Sequence, residues 1–168
     1  PFFTPRMPRS GTPFSVQMTN AGSLGWVSDV HGYRYQALHP NTGAPWPPIP
    51  GPLLSLWSAL GAPLDPEACL INLYQGKAKL GMHQDCDEET FDAPVVSVSL
   101  GDTAVFRVGG QKRRDPTRSL KLHSGDVITL GGAGRLACLG IDRVITASST
   151  LWDHGGRINL TLRRVTKV

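Results

Sequence analysis

The sequence has few cysteines, few charges and no long apolar run. Its three cysteines, Cys69, Cys86 and Cys138, form no CxxC pair and are odd in number, which excludes a disulfide-rich scaffold and favours a reducing compartment, so a cytoplasmic protein is expected. No apolar stretch approaches the roughly 20 residues that cross a bilayer, and no signal peptide is recognisable, so no membrane partner is expected. The chain starts at Pro1 instead of methionine, and we expect residues before it.

The composition is typical of one globular domain that is rich in turns. Apolar residues make up 40% of the 168 positions and charged residues 18%, which argues against disorder. The 19 glycines and 14 prolines suit a β-rich chain better than a helical bundle. A net charge of +4 permits a polyanionic partner but does not require one. We expect a single domain over residues 1–168, acting as a monomer.

One helix and a series of short strands are predicted. Leucines and a tryptophan recur at helical spacing over residues 53–60, between Pro52 and Gly61, which predicts an amphipathic helix that covers a sheet. Strands are predicted at 15–19, 32–36, 68–74, 93–100, 103–108, 119–123, 126–131, 142–146 and 157–165. Short strands after one helix indicate a mainly β (α+β) fold, the double-stranded β-helix or cupin-like jelly roll.

The segment LGMHQDCDEE places His83 and Asp85 two residues apart. In an extended strand these side chains share a face, so an imidazole nitrogen and a carboxylate oxygen can converge on one ion. A third ligand from a distant strand would complete the facial triad of non-haem Fe(II). Taken alone, the pair also fits a surface acidic loop in which His83 is solvated.

The C-terminal segment GRINLTLRRV alternates polar and apolar side chains. Arg157, Asn159, Thr161 and Arg163 share one face, opposite Ile158, Leu160 and Leu162. Arginines that point into a barrel are costly unless an anion meets them, and a dicarboxylate would do so. A basic edge strand facing water explains the spacing equally well.

Asn72 and Tyr74 in CLINLY also lie two apart on one predicted strand face. Their amide and phenol groups could add hydrogen bonds to the same ligand. Each residue type, seen singly, is more often structural.

Together these segments resemble the bacterial AlkB family over nearly the whole chain. The matching stretches are 15–35, 66–88, 93–116, 123–141 and 157–164. The resemblance implies a jelly-roll oxygenase that uses Fe(II), 2-oxoglutarate and O2, with a nucleotide-recognition lid at about 1–50 and the catalytic jelly roll at about 66–168. It implies oxidative demethylation of 1-methyladenine and 3-methylcytosine in flipped or single-stranded DNA, with RNA as a further candidate, yielding succinate, carbon dioxide and formaldehyde.

The resemblance also assigns residues to roles. It implies iron ligation by His83 and Asp85, and 2-oxoglutarate binding by Asn72, Tyr74, Arg157, Asn159 and Arg163. Trp26 and His83 would sandwich the flipped base, and Asp87 would accept from its exocyclic amine. Met18, Tyr33, Tyr35 and Arg113 would line the recognition lid or touch phosphates. The basic cluster Lys112, Arg113, Arg114 and Arg118 fits either a phosphate contact or a solvated loop.

One position departs from the family pattern. The second iron histidine would stand in GGAGRLACLGI at the position of Leu139, whose side chain cannot ligate iron. Three explanations are open: a substitution that disables an otherwise intact site, weakened metal binding by two ligands and water, or replacement by another histidine, for which His154 is a better candidate than His123. Leu130 also stands where relatives often carry an aromatic residue, which leaves the fine substrate preference open.

The sequence is compatible with three functions. The first is an oxygenase for alkylated nucleic acid, and the second is a catalytically dead binder of damaged nucleic acid. Leu139 favours the binder, whereas the co-substrate strand 157–163 favours the oxygenase. The third, an oxygenase for proteins or small molecules, is disfavoured by Trp26, Tyr33 and Asp87.

Overall fold

The computed structural model describes all 168 residues and contains one α-helix and eleven strands. The elements are β1 (Gln17–Gly22), β2 (Gly25–Asp29), β3 (Gly32–Gln36), α1 (Gly51–Ala59), β4 (Ala68–Tyr74), β5 (Leu80–His83), β6 (Val95–Gly101), β7 (Thr103–Val108), β8 (Arg118–Leu122), β9 (Val127–Leu130), a 3-10 turn (Gly132–Gly134), β10 (Leu139–Ile145) and β11 (Arg157–Arg163). No helix in this structure has the length and apolar character needed to cross a membrane.

The strands form two antiparallel sheets and a separate hairpin. The major sheet has the order β1-β4-β11-β6-β9, and the minor sheet has the order β5-β10-β7-β8. The hairpin pairs β2 with β3. Two facing sheets with one covering helix confirm the predicted jelly roll, and β11 lies in the interior of the major sheet. An edge strand facing water is therefore excluded for residues 157–163.

Alternation along β4 explains how the major sheet separates two cores. Leu70 and Tyr74 pack between the sheets, while Cys69 contributes to the cluster under α1. From the helix, Leu53 and Trp57 are buried in that second cluster. The helix therefore covers the outer face of the sheet, as its apolar spacing predicted, and leaves the inner face for the site.

Two strands were not predicted, and several predicted strand ends differ from those observed. The strands β2 and β5 were not predicted, because β2 carries a run without clear alternation and β5 has only four residues. The strand predicted at 142–146 begins at Leu139, ahead of a register shift between Leu139 and Ile141. The remaining ends agree with the prediction or differ from it by one to three residues, since strand ends depend on pairing partners. The stretch predicted as a lid also contributes β1 to the major sheet.

Gly140 allows β10 to approach β5 closely. A Cβ at this position would lie 2.8 Å from the Leu80 carbonyl oxygen and 3.1 Å from the Gly81 carbonyl carbon. Because both obstacles are backbone atoms, the strands would have to separate. We expect Gly140→Ala to lower the free energy of unfolding by about 1–3 kcal/mol, measured by urea denaturation. The control Gly81→Ala points into open space and should change it by less than about 0.5 kcal/mol; equal losses would contradict this explanation.

Candidate active site

A cavity of about 630 Å³ lies between the two sheets and under the β2–β3 hairpin. Every predicted site residue except Tyr35 lines it: Met18, Trp26, Tyr33, Asn72, Tyr74, His83, Asp85, Asp87, Arg113, Leu139, Arg157, Asn159 and Arg163. The structure therefore brings together side chains that are up to 145 residues apart in sequence, from Met18 to Arg163.

His83 and Asp85 lie side by side in the wall of this cavity. His83 ends β5, and Asp85 follows in a segment without regular structure, so the two do not share one strand face as predicted. The His83 Nε2 atom nevertheless lies 3.5 Å from Asp85 Oδ1. The His83 Nδ1 atom is 2.8 Å from the Gly81 carbonyl, which can only accept, so Nδ1 carries the hydrogen. In the neutral ring Nε2 therefore has the free lone pair, which is the one that can bind a metal.

The charges around this pair favour an ionised carboxylate. Burial alone would raise the pKa of Asp85, but the Arg163 guanidinium, 3.0 Å away, holds that pKa well below its usual range. Burial lowers the pKa of His83, yet the hydrogen bond and charge of Asp85 outweigh it and the net pKa is raised. An anionic oxygen and an imidazole nitrogen side by side are ligands that suit a divalent transition metal.

The residue opposite His83 is Leu139. The two are direct partners across the antiparallel β5–β10 pair, where side chains of opposite residues share a face about 5 Å apart. Leu139 is half-buried and lines the cavity. A third ligand at this position would complete a facial set, but an aliphatic group cannot supply one. The residues present therefore offer two of the three protein ligands that iron needs.

No other histidine fills this gap. His154 lies in a separate groove together with Trp152 and Asp102. His123 is exposed, with Nδ1 3.5 Å from Asp126 Oδ2. No group of three His, Cys, Asp or Glu side chains in the chain is arranged to hold a metal. Replacement by another histidine is therefore excluded as the explanation for Leu139.

Arg157 provides a buried cation without an anion. Its side chain is only 1% exposed, and its Nε and Nη1 atoms have no hydrogen-bond partner. Nη2 donates to Ser99 Oγ at 3.0 Å, and the guanidinium lies 5.0 Å from the centre of the Tyr74 ring. Burial lowers the pKa of Arg157, since no carboxylate compensates for the lost water. Two free donors on one planar guanidinium fit a carboxylate of 2-oxoglutarate.

Amides beside Arg157 extend this polar surface. Asn72 Nδ2 donates to Asn159 Oδ1 at 3.3 Å, and Thr161 Oγ1 donates to the same oxygen at 2.7 Å. The buried Asn72 Oδ1 atom has no partner. Asn159 Nδ2 donates to Ser97 Oγ, so this amide is held by the major sheet. Unsatisfied buried groups at the inner end of the cavity are those that a polar co-substrate would satisfy.

Arg163, six residues along the same strand face, is placed differently. Its Nη2 atom contacts Asp85, its Nη1 atom donates to Tyr35 Oη at 3.1 Å, and its Nε lies 3.8 Å from Glu88 Oε1. The guanidinium thus supports the iron-ligand candidate directly. Tyr35 was predicted to line the lid or touch phosphates; instead its hydroxyl points inward to Arg163, and it does not line the cavity.

The other end of the cavity is aromatic and acidic. The Trp26 ring stacks on Tyr33 with centroids 5.6 Å apart and an interplanar angle of 19°. Trp26 Nε1 donates to Asp87 Oδ2 at 2.8 Å, which uses one of the two carboxylate oxygens. Arg113 is exposed at the rim. Met18 is 2% exposed and belongs to the core beneath the cavity, too deep to reach a phosphate.

Two buried charged residues near the site were not predicted. Glu88 and Arg135 pair at 2.8 Å, with side chains 1% and 3% exposed. Glu88 stands in an acidic run beside the exposed Glu89, and nothing in the sequence distinguishes the two. Arg135 follows a glycine-rich turn in which a solvated arginine is equally ordinary. Only the folded arrangement identifies them.

Comparisons with known proteins identify the family of the chain. The 2OG-Fe(II) oxygenase superfamily matches residues 1–163. The chain is similar to an alpha-ketoglutarate-dependent dioxygenase AlkB homolog of Caulobacter vibrioides, with 59% identity over 92% of this chain and 70% of the relative. It is 44% identical to the AlkB dioxygenase of Escherichia coli over 94% of this chain and 74% of the relative.

A more distant relative and a solved structure also match this chain. A DNA N(6)-methyladenine demethylase of Arabidopsis thaliana, ALKBH1C, is 39% identical over 59% of this chain and 24% of its own length. The solved structure of OsALKBH1 superposes with a TM-score of 0.81 at 34% identity, over 97% of this chain and 83% of that one. The chain therefore belongs to the 2OG-Fe(II) oxygenase superfamily and, within it, to the AlkB family of dioxygenases that use Fe(II), 2-oxoglutarate and O2.

Proposed function

We propose that this cavity binds 2-oxoglutarate and an N-alkylated nucleobase, and that its family reaction is oxidative demethylation in nucleic-acid repair. The substrates are bases of the 1-methyladenine and 3-methylcytosine type in DNA, with RNA as a second polymer. The observation that carries the proposal is the shared cavity, in which an unpaired arginine and an aromatic, acidic surface flank the same His83–Asp85 pair.

The 2-oxoglutarate end of the cavity is formed by side chains on the inner face of the major sheet. Arg157 grips one carboxylate of 2-oxoglutarate with its two free donors, beside the Tyr74 ring. Asn72 and Asn159 bind the remaining polar atoms or shape the pocket. Arg163 keeps Asp85 ionised and aimed at the metal position. Iron held by His83 and Asp85 would let O2 act as the oxidant, with 2-oxoglutarate giving up two electrons as it becomes succinate and carbon dioxide, and the oxidised methyl carbon would leave as formaldehyde.

The base end is assigned to the hairpin and to the segment after β5. Trp26 and His83 provide flat surfaces for a flipped base, and Tyr33 extends the stack. Asp87 accepts from the exocyclic amine. Methylation at N1 of adenine or N3 of cytosine makes the base cationic, and an anionic acceptor therefore favours the lesion over the normal base. Arg113 and its basic neighbours contact phosphates without reading sequence.

Leu139 limits what this chain does with a bound substrate. With two protein ligands, divalent metal is held weakly, and turnover is reduced or absent. The second candidate function is therefore a binder of damaged nucleic acid without turnover, and the Leu139–His83 pairing favours it. Both candidates use the same recognition residues. A monomer, a cytoplasmic location and a lid formed by about residues 1–50 over a jelly roll from about residue 66 stay predictions from the sequence.

Discrimination between alkylated and normal bases tests the recognition that both candidates share. We expect the chain to bind a 1-methyladenine oligonucleotide more tightly than the unmodified one, measured by fluorescence anisotropy. Asp87→Asn should lower this preference by about tenfold, because the neutral amide loses attraction for the cationic base. Asp92→Asn, an exposed acid of the same segment, is the control and should leave the preference unchanged. Equal binding of both oligonucleotides by the unaltered chain would contradict the proposal.

A further inference from the structure

The segment between β5 and β6 carries both acidic candidates of the site but has no strand partner. Residues 84–94 contain no helix or strand, although Asp85 and Asp87 lie in them. A backbone of this kind needs other contacts to hold a fixed shape. The Gln84 amide donates to two backbone carbonyls, and the Glu89 N–H donates to the Val165 carbonyl. Three further contacts, on both sides of Asp87, come from Arg135, which lies between the 3-10 turn and β10 and is 3% exposed.

All three guanidinium nitrogens of Arg135 donate hydrogen bonds to this segment. Nη1 donates to the Asp85 carbonyl at 2.7 Å, Nη2 to Glu88 Oε1 at 2.8 Å, and Nε to the Ala93 carbonyl at 3.0 Å. The Phe91 ring covers the group at 5.3 Å from its centre. Only a rigid, planar set of donors can meet three acceptors in this arrangement; a lysine ammonium could reach one or two.

These contacts lie on both sides of Asp87 in the sequence. Arg135 binds the chain at position 85 and at position 88, so the turn between them is held at both ends, and Asp87 projects from that turn to Trp26 Nε1. We propose that Arg135 is a positioning residue for base recognition, which fixes the direction of the Asp87 carboxylate without touching the substrate. This inference rests on the base-binding role given to Asp87 above.

Glu88 connects this arrangement to Asp85 as well. Its Oε1 atom accepts from Arg135 and lies 3.8 Å from Arg163 Nε, while Arg163 Nη2 contacts Asp85 at 3.0 Å. Two arginines and two carboxylates thus form a buried group without net charge. A purely structural pair would stabilise the fold but would leave the Asp87 direction unaffected when both charges are removed together.

The indole N–H resonance of Trp26 reports on Asp87 without any ligand. In ¹H–¹⁵N NMR spectra, the four tryptophans give four indole signals, and Trp26→Phe identifies the relevant one. Trp46 donates to the Gln36 carbonyl and belongs to a core cluster that contains no residue of 84–94, so its signal reports whether the fold is intact. The test variant is Arg135→Met/Glu88→Met, which removes the buried pair without leaving one charge unpaired.

We expect the Trp26 signal to move and its exchange with water to increase in the double variant, while the Trp46 signal stays. If the double variant fails to fold, Arg135→Lys is used instead, and the same shift of the Trp26 signal is expected. Lysine keeps the positive charge beside Glu88 but loses at least one of the three hydrogen bonds to residues 85, 88 and 93. Arg107→Lys, in a half-exposed pair with Asp142, is the matched control and should move none of these signals. A Trp26 signal that stays at its original position in a folded variant overturns the proposal.

A second readout separates this inference from the proposed function. The double variant should bind the 1-methyladenine oligonucleotide about tenfold more weakly, whereas 2-oxoglutarate affinity, which depends on Arg157 in the major sheet, should change less than about twofold. A moved Trp26 signal without any preference for the methylated oligonucleotide in the unaltered chain would remove the proposed function and leave the positioning of Asp87 intact. Parallel losses of both affinities would assign Arg135 a merely structural role.

Discussion

Leu139→His is expected to raise the affinity for a divalent metal by about 100-fold or more. Mutating a residue that only hydrogen-bonds to a metal ligand lowers metal affinity by about 10–100-fold, and a residue that binds the metal directly should contribute more. Leu139 lies directly across the strand pair from His83 and lines the cavity, so an imidazole placed there faces the same position as His83 Nε2 and Asp85 Oδ1. Three ligands on one face then leave three adjacent positions for co-substrate and oxygen. Titration with Mn²⁺ or Co²⁺ in the presence of 2-oxoglutarate measures the change.

The control for this prediction is Leu139→Met, which keeps the volume and apolar character of the side chain and adds only a soft thioether. It should leave the affinity for Mn²⁺ within about threefold of that of the unaltered chain. An equal affinity of the histidine and methionine variants would mean that position 139 does not face the metal position, and the pairing of β5 with β10 would then not describe the site.

Arg157→Met is expected to change ligand binding and stability in opposite directions. The variant should lose at least about 100-fold in 2-oxoglutarate affinity, since a carboxylate loses two charge-assisted hydrogen bonds. It should also raise the free energy of unfolding of the ligand-free protein by about 1–3 kcal/mol, because a buried guanidinium with two unpartnered nitrogens is replaced by an apolar chain. Calorimetric titration and urea denaturation measure the two effects.

Arg163→Met is the matched control on the same strand face. Its guanidinium is paired with Asp85 and Tyr35, so its removal leaves the buried Asp85 carboxylate without an arginine and with only the His83 ring 3.5 Å away. This variant should lower the free energy of unfolding by about 3–5 kcal/mol, which is opposite in sign to the effect of Arg157→Met. Destabilisation of similar size in both variants would show that Arg157 is a structural arginine and not one that awaits a ligand.

The contrast between these two arginines marks the limit of what the sequence can predict. Two-residue alternation places Arg157 and Arg163 on one face, and that prediction is confirmed by the burial of both. The same pattern could not distinguish them, because their difference depends on Asp85, Glu88 and Tyr35, which reach Arg163 from distant parts of the chain. Tertiary contacts therefore decide that the Arg163 guanidinium is paired, whereas two nitrogens of Arg157 have no hydrogen-bond partner.

The metal pair shows a similar limit. The two-residue spacing of His83 and Asp85 predicted their convergence, and the 3.5 Å separation agrees, although the strand ends between them. The four-residue β5 escaped prediction because its register comes from β10 and from the close approach at Gly140. The glycine-rich loop before β10 likewise gave no sign that Arg135 would hold the opposite segment. Local spacing predicted that His83 and Asp85 converge, whereas the residues that hold them in place, such as Arg135 and Arg163, could be identified only in the folded structure.

Formaldehyde release distinguishes a demethylase site that lacks one iron ligand from a cavity without this chemistry. The chain and its Leu139→His variant are each incubated with Fe(II), 2-oxoglutarate, O2 and a 1-methyladenine oligonucleotide, and formaldehyde and succinate are measured together. We expect the histidine variant to release both products in equal amounts and the unaltered chain to release little or none. Absence of formaldehyde from both proteins, with metal and 2-oxoglutarate bound in the variant, would contradict a demethylase site that lacks only one ligand.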